Sequence, residues 1–231
     1  MKSVDFDLHA DTYDDDLNRA LAASGEDKDF FARGRVEWLG TCLKRSDEHP
    51  RTALDYGCGI GDTSLLLRDL LGVEQLVGLD VSERSLVRAQ ERHGEANFRF
   101  ATFSAYTPSE SVDLVYCNGV FHHIPIAERD AAVDYIYRSL RPGGLFSLWE
   151  NNPWNPGTRY VMAQCVFDRD AIRLTAAEAM KRARNRGFEV VSLDYRFFFP
   201  RFLSRLRFLE SELTSVPLGA QYQVFCRKPA R

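Results

Sequence analysis

The stretch ALDYGCGIGDTS, Ala53 to Ser64, decides the fold. TALDYG (52–57) is a short apolar run that reads as a buried strand, and GDTSLLLRDLLG (61–72) reads as a helix stopped by Gly72. Between them Gly57, Gly59 and Gly61 alternate with larger residues, a strand-to-helix turn where a ligand can come close to the backbone. Two phosphate-binding readings fail here. A dinucleotide loop wants GxGxxG, but Asp62 holds the place of its third glycine, and a carboxylate at a helix start repels pyrophosphate. A Walker loop fails because no GK[ST] follows. The pattern predicts a nucleoside-like ligand without a phosphate chain.

Working outward, strand and helix alternate. QLVGLDVS (75–82), NFRFATF (97–103), SVDLVYCNGV (111–120) and LFSLWEN (145–151) read as strands; SERSLVRAQERHG (82–94), with Ser82 as N-cap, and AERDAAVDYIYRSLRPGG (127–144), closed by its Pro-Gly-Gly turn, read as helices. Apolar residues at helical spacing in 27–45 (Phe30, Phe31, Val36, Leu39, Cys42, Leu43) predict a helix ahead of the first strand. After residue 151 the rhythm changes: a loop NNPWNPGTRY, then FDRDAIRL, a helix at 175–187, strands at 188–199 and 220–228, and a helix within 200–219. Such alternation predicts an α/β fold, a Rossmann-like doubly wound sheet of parallel strands with helices on both faces, finished by an antiparallel edge.

Composition narrows the setting. Of 231 residues 45% are hydrophobic and 27% charged, ordinary for a single globular domain. The acidic start MKSVDFDLHADTYDDD is no signal peptide, and no apolar run approaches membrane-span length. Five scattered cysteines without a CxxC pair suggest neither zinc nor disulfides; no metal is expected, and a reducing cytoplasm fits. A net charge of -3 speaks against a dedicated nucleic-acid binder. The charge is uneven, though: residues 1–30 hold nine acids and three bases, and residues 181–231 eleven bases and four acids. KRARNR (181–186) reads as a solvated helix face or, alternatively, as a groove for RNA.

S-adenosylmethionine, a nucleoside with a cationic tail, suits the glycine turn. Asp55 ends the first strand where an ammonium needs a partner, and Asp80 ends the second, 19 residues beyond Gly61, where a ribose-binding carboxylate is expected. DYGCGIG (55–61), GLDVS (78–82), VDLVYCNGVFHHI (112–124) and SLRPGGLF (139–146) together resemble the motif series of class I S-adenosylmethionine-dependent methyltransferases, small-molecule type, over about residues 50–150. The resemblance implies a seven-stranded sheet with a reversed last strand. It implies that Asp55, Gly57, Gly59 and Gly61 surround the methionine part, Asp80 the ribose, and Val81 the adenine face, with Ser104 near the adenine edge and Asn118 at the methionine end. Tyr13 and Arg35 are candidates for the methionine carboxylate. On this reading residues 1–48 form a helical cap, 49–151 the cofactor half, and 152–231 the substrate side with the final strands.

In-line methyl transfer asks the protein for alignment and a dry pocket, and for a base only if the acceptor must lose a proton. Loops after the fourth and fifth strands face the acceptor. They offer His122, His123 and Glu150 as candidate acid–base groups, and Trp149, Asn151, Trp154 and Tyr160 as a wall for the acceptor. Phe197, Phe198, Phe199 and Pro200 read as core or as an oligomer contact in a homodimer, with the lining of an acceptor pocket as the alternative. The expected activity is methyl transfer to an O, N or C nucleophile of a small molecule. An RNA or protein methyltransferase using the basic C-terminal third, and a non-catalytic S-adenosylmethionine-binding protein, are the alternatives.

Overall fold

The computed structural model describes residues 13–95, 97–165, 168 and 171–230, the side chains of 13–16 excepted. Helices α1 (Tyr13–Leu21) and α2 (Lys28–Arg45) precede the first strand. Asp27 caps α2 by accepting the amide proton of Phe30. Five strand-led units follow: β1 (Thr52–Tyr56) and α3 (Asp62–Leu71), β2 (Gln75–Asp80) and α4 (Glu83–His93), β3 (Phe98–Thr102), β4 (Val112–Asn118) and α5 (Arg129–Ser139), then β5 (Leu140–Asn151) and α6 (Pro156–Gln164). Helix α7 (Ala176–Arg186), β6 (Glu189–Arg196) and β7 (Gln221–Arg227) complete the chain. Ser82 does cap α4, and Pro156 takes the first turn of α6, where a missing amide costs nothing. No helix among the described residues is long and apolar enough to cross a membrane.

The seven strands lie in the order β3-β2-β1-β4-β5-β7-β6. β1 to β5 are parallel, while β7 runs antiparallel to both β5 and β6. The last strand is therefore reversed, as expected, but it lies inside the sheet and β6 forms the margin. The chain winds outward from β1 to β3 and returns to β4 on the other side, so a crevice opens beyond the carboxyl ends of β1 and β4. Alternation along each strand feeds two cores. Leu54, Tyr56, Val115 and Cys117 pack beneath α5 and α7. Ala53, Leu114, Tyr116, Leu145 and Trp149 pack against α2, α3 and α4.

Two predicted helices end differently. The helix expected over 127–144 stops at Ser139, and Leu140–Gly144 already belong to β5. Pro142 disfavours helix at Arg141 and removes a donor, and Gly143 is left-handed at φ +78°. Within 200–219 there is a 3-10 segment, Arg201–Leu209, broken at Leu203. Helices draw most of their stability from packing an apolar face, and here Phe202 and Phe208 point to solvent. Two of the four bases in KRARNR are paired, Arg182 with Asp130 and Glu178, and Arg186 with Asp134.

Candidate functional site

The glycine turn is built by backbone requirements. Gly57, Gly59 and Gly61 have φ of +78°, +54° and +83°, a region L side chains rarely adopt. A Cβ at Gly57 would sit 2.3 Å from Val120 Cγ2, whereas one at Gly59 would meet nothing within 4 Å. Gly59 thus fronts open space. Asp80 reaches across from β2: its Oδ2 accepts the Gly59 amide at 2.8 Å and its Oδ1 the Ser82 amide at 2.9 Å. A carboxylate oxygen can accept more than one hydrogen bond, so these contacts are compatible with a ligand hydroxyl beside them. Val81, next in the chain, is 67% exposed, an apolar surface beside that carboxylate. Ser104 lies exposed in the turn after β3, its hydroxyl engaged with Thr102, and Asn118 ends β4 half-buried. A cleft of about 460 Å³ opens at the opposite, amino end of the strands, among Thr52, Gln75, Asn97 and Tyr106, and its lining holds no carboxylate.

Asp55 is buried and accepts the Ser64 hydroxyl at 2.7 Å. Burial pushes its carboxyl up to about 7; the Ser64 hydroxyl works against that shift, and Asp80 adds to it. An unfolded aspartate titrates near 3.9. The folded chain therefore holds the extra proton between about pH 4 and pH 7, and stability from this group is lost as pH rises through that window. Urea denaturation of the ligand-free chain should show the wild type weakening from pH 5 to pH 8 relative to Asp55→Asn. Parallel pH profiles would contradict this.

Several contacts here gave no signal in the sequence. Lys28, at the start of α2, pairs with Asp62 at 2.5 Å, and His93 Nε2 lies 3.1 Å from the same carboxylate. These partners outweigh the cost of burial and hold the Asp62 carboxyl below its usual range. Asp62 thus ties the start of α2 to the helix that follows the glycine turn. Phe197 adopts φ +63° and wedges between Phe31 and Trp149, its ring so close to Gly34 that a Cβ there would lie 2.7 Å away. Arg35 is 7% exposed. Its Nε donates to the Tyr116 hydroxyl at 3.3 Å and its Nη1 to Gln221 Oε1 at 3.0 Å. Both partners are neutral, and no carboxylate among the described residues pairs with this guanidinium. Gln221 passes the connection on, donating to Asn151 Oδ1 at 3.2 Å. The Tyr13 side chain lies outside the described residues.

In the loop after β4 and at the end of β5, three residues expected to face an acceptor, His122, Trp149 and Glu150, lie buried. Glu150 is 1% exposed; it accepts the Phe121 amide at 2.8 Å and meets His122 Nδ1 at 2.6 Å. It is a buried clamp on the loop after β4, not a free base. Trp149 is 0% exposed, packed in the core with residues of α2 and against the Phe197 ring. It cannot line an acceptor wall with Trp154 and Tyr160, which are exposed on the segment beyond. His122 is buried too, so it offers an acceptor little access: burial opposes its charge, but Glu150 and Asp168 prevail and raise its pKa to about 10. His123 is partly exposed, and burial together with His122 draws it down to about 4. Asp168, which sequence reasoning passed over, approaches His122 Nε2 at 3.3 Å and His123 Nε2 at 3.5 Å.

Residues 53–144 match the model of a methyltransferase domain family. The trans-aconitate 2-methyltransferase of Agrobacterium fabrum is 32% identical over 94 residues, 41% of this chain and 36% of that protein. The protein of the same name from Rhizobium leguminosarum bv. trifolii is 31% identical over 145 residues, 63% and 55% of the two chains. The chain thus spans about a third to a half of the length of these curated relatives. A solved Thermotoga maritima methyltransferase, described as a possible histamine N-methyltransferase, superposes with a TM-score of 0.66 at 20% identity, covering 96% of this chain and 97% of its own. At that identity the likeness concerns the fold. The glycine turn, the strand-end carboxylates, the reversed seventh strand and the domain match agree: residues 53–144 resemble a methyltransferase domain, set in a chain with the Rossmann-like methyltransferase fold.

Proposed function

We propose that this chain transfers the sulfonium methyl group of S-adenosylmethionine to a small-molecule acceptor. The observation that carries the reading is the Asp80 carboxylate bridging to the Gly59 amide, beside the open space that Gly59 fronts. Asp80 takes the ribose hydroxyls, Val81 the adenine face with Ser104 at its edge, and the glycine turn lets the ligand lie against the backbone. Asp55 and Asn118 serve the methionine end. Arg35 supplies what the methionine carboxylate needs, since a buried guanidinium without an anionic partner is costly until one arrives. The transfer itself is an in-line displacement, for which the protein provides alignment and exclusion of water.

The names of the relatives point to trans-aconitate, so small di- and tricarboxylic acids are the first acceptors to test. A carboxylate oxygen needs no proton removed before it attacks, which suits a site where Glu150 is already engaged. The test is S-adenosylhomocysteine formation, followed by mass spectrometry, with such acids and with amine and phenol panels as comparison. No product above the protein-free rate with any panel would sink the reading. Arg35→Met should weaken S-adenosylmethionine binding roughly 10- to 100-fold, the worth of a charge-assisted hydrogen bond, yet leave 5′-methylthioadenosine, which lacks the amino-acid part, nearly unchanged. Equal losses for both ligands would mean that Arg35 only supports the fold.

A further inference from the structure

We infer that His122, His123 and Asp168 form a site for one divalent transition-metal ion, with zinc as the best-suited probe. One ligand atom from each lies within 4.8 Å of the others. His122 Nε2 to Asp168 Oδ1 is 3.3 Å and His123 Nε2 to Asp168 Oδ1 is 3.5 Å. Tetrahedral zinc with bonds of about 2.0–2.1 Å separates its ligand atoms by about 3.3–3.4 Å, so two edges of the polyhedron are already in place. Two imidazoles and one carboxylate suit zinc and its neighbours better than magnesium or calcium, and three protein ligands leave a coordination position open.

The second, independent observation lies behind the ligands. Glu150 Oε2 binds His122 Nδ1 at 2.6 Å, which leaves Nε2 directed at Asp168. A carboxylate behind a histidine is the usual means of fixing the tautomer and ring of a metal ligand. Glu150 is itself fixed by the Phe121 amide. The two ligand-bearing segments are also fastened together. The Ile172 amide donates to the His122 carbonyl at 2.8 Å, and the fully buried Arg129 donates to the carbonyls of Ile124 and Ile172. Asp168 is therefore not a chance surface acid near a histidine pair; its segment is tied to the turn that carries both imidazoles. The site stands whether or not the chain proves to transfer methyl groups.

The test uses the full chain, stripped with a chelator and titrated with zinc chloride by calorimetry, and with cobalt(II) followed by visible absorption. Saturable uptake of one equivalent is expected, with the cobalt spectrum of a four- or five-coordinate site. His123→Ala and Asp168→Asn should each weaken zinc binding by at least about tenfold while leaving S-adenosylmethionine binding unchanged, although Asp168→Asn also lowers the melting temperature of the metal-free chain by removing a carboxylate partner of the buried His122. Asp168→Asn keeps the shape of the side chain and so carries the test should His123→Ala fold poorly. Absence of saturable binding in the wild type would show that the cluster is only a hydrogen-bonded network. Binding unaltered in both variants would place the ion elsewhere; either result overturns the assignment.

Discussion

Asp80→Ala is expected to weaken S-adenosylmethionine binding by roughly 10²- to 10³-fold in calorimetry. Two ribose hydroxyls donating to one carboxylate contribute about 1.5–3 kcal/mol each, and their loss together costs about 3–4 kcal/mol. The same substitution leaves the amides of Gly59 and Ser82 without their acceptor, which loosens the glycine turn before any ligand arrives. Asp80→Asn, which keeps one acceptor oxygen, should fall between the two. A dissociation constant within about threefold of wild type for the alanine variant would remove Asp80 from the cofactor seat, and with it the main support for the proposed function.

The second large effect is on stability. Glu150→Ala should lower the unfolding free energy by about 3 kcal/mol in urea denaturation. It leaves a buried His122 with a single remaining carboxylate partner, Asp168, and a buried Phe121 amide with none. Glu150→Gln, which retains an acceptor for the Phe121 amide, should cost less. The contrast with a catalytic base is plain. A base would leave stability nearly untouched and remove activity from fully folded protein, so an unchanged denaturation midpoint in Glu150→Ala would restore the role first expected from its position after the fifth strand.

The cofactor half was readable because its determinants act locally. The continuous apolar run TALDYG, glycines at positions that need positive φ, and a carboxylate closing each of two strands all lie within about thirty residues, Thr52 to Asp80. Strand–helix rhythm then dictated the parallel sheet, since a crossover helix is the short route between parallel neighbours. Even the exclusion of phosphate came from one side chain, Asp62, although its ion pair with Lys28 joins residues 34 apart and left no trace in the pattern.

The acceptor side was not readable in this way. Trp149 and Glu150 look like the start of a functional loop until β7, seventy residues later, extends their strand to Asn151, with Trp149 packed against Phe197 and Glu150 held by Phe121 and His122. Burial of a strand's last residues depends on which partner lies beside it, and that partner is chosen by the fold. Cysteine spacing spoke against a metal, while the ligand set the structure assembles uses two adjacent histidines and an aspartate about forty-five residues on. Local periodicity and turn chemistry determined the glycine turn and the carboxylates at the carboxyl ends of β1 and β2. Long-range pairing, which alone sets burial and brings distant side chains within bonding distance, decided what surrounds them.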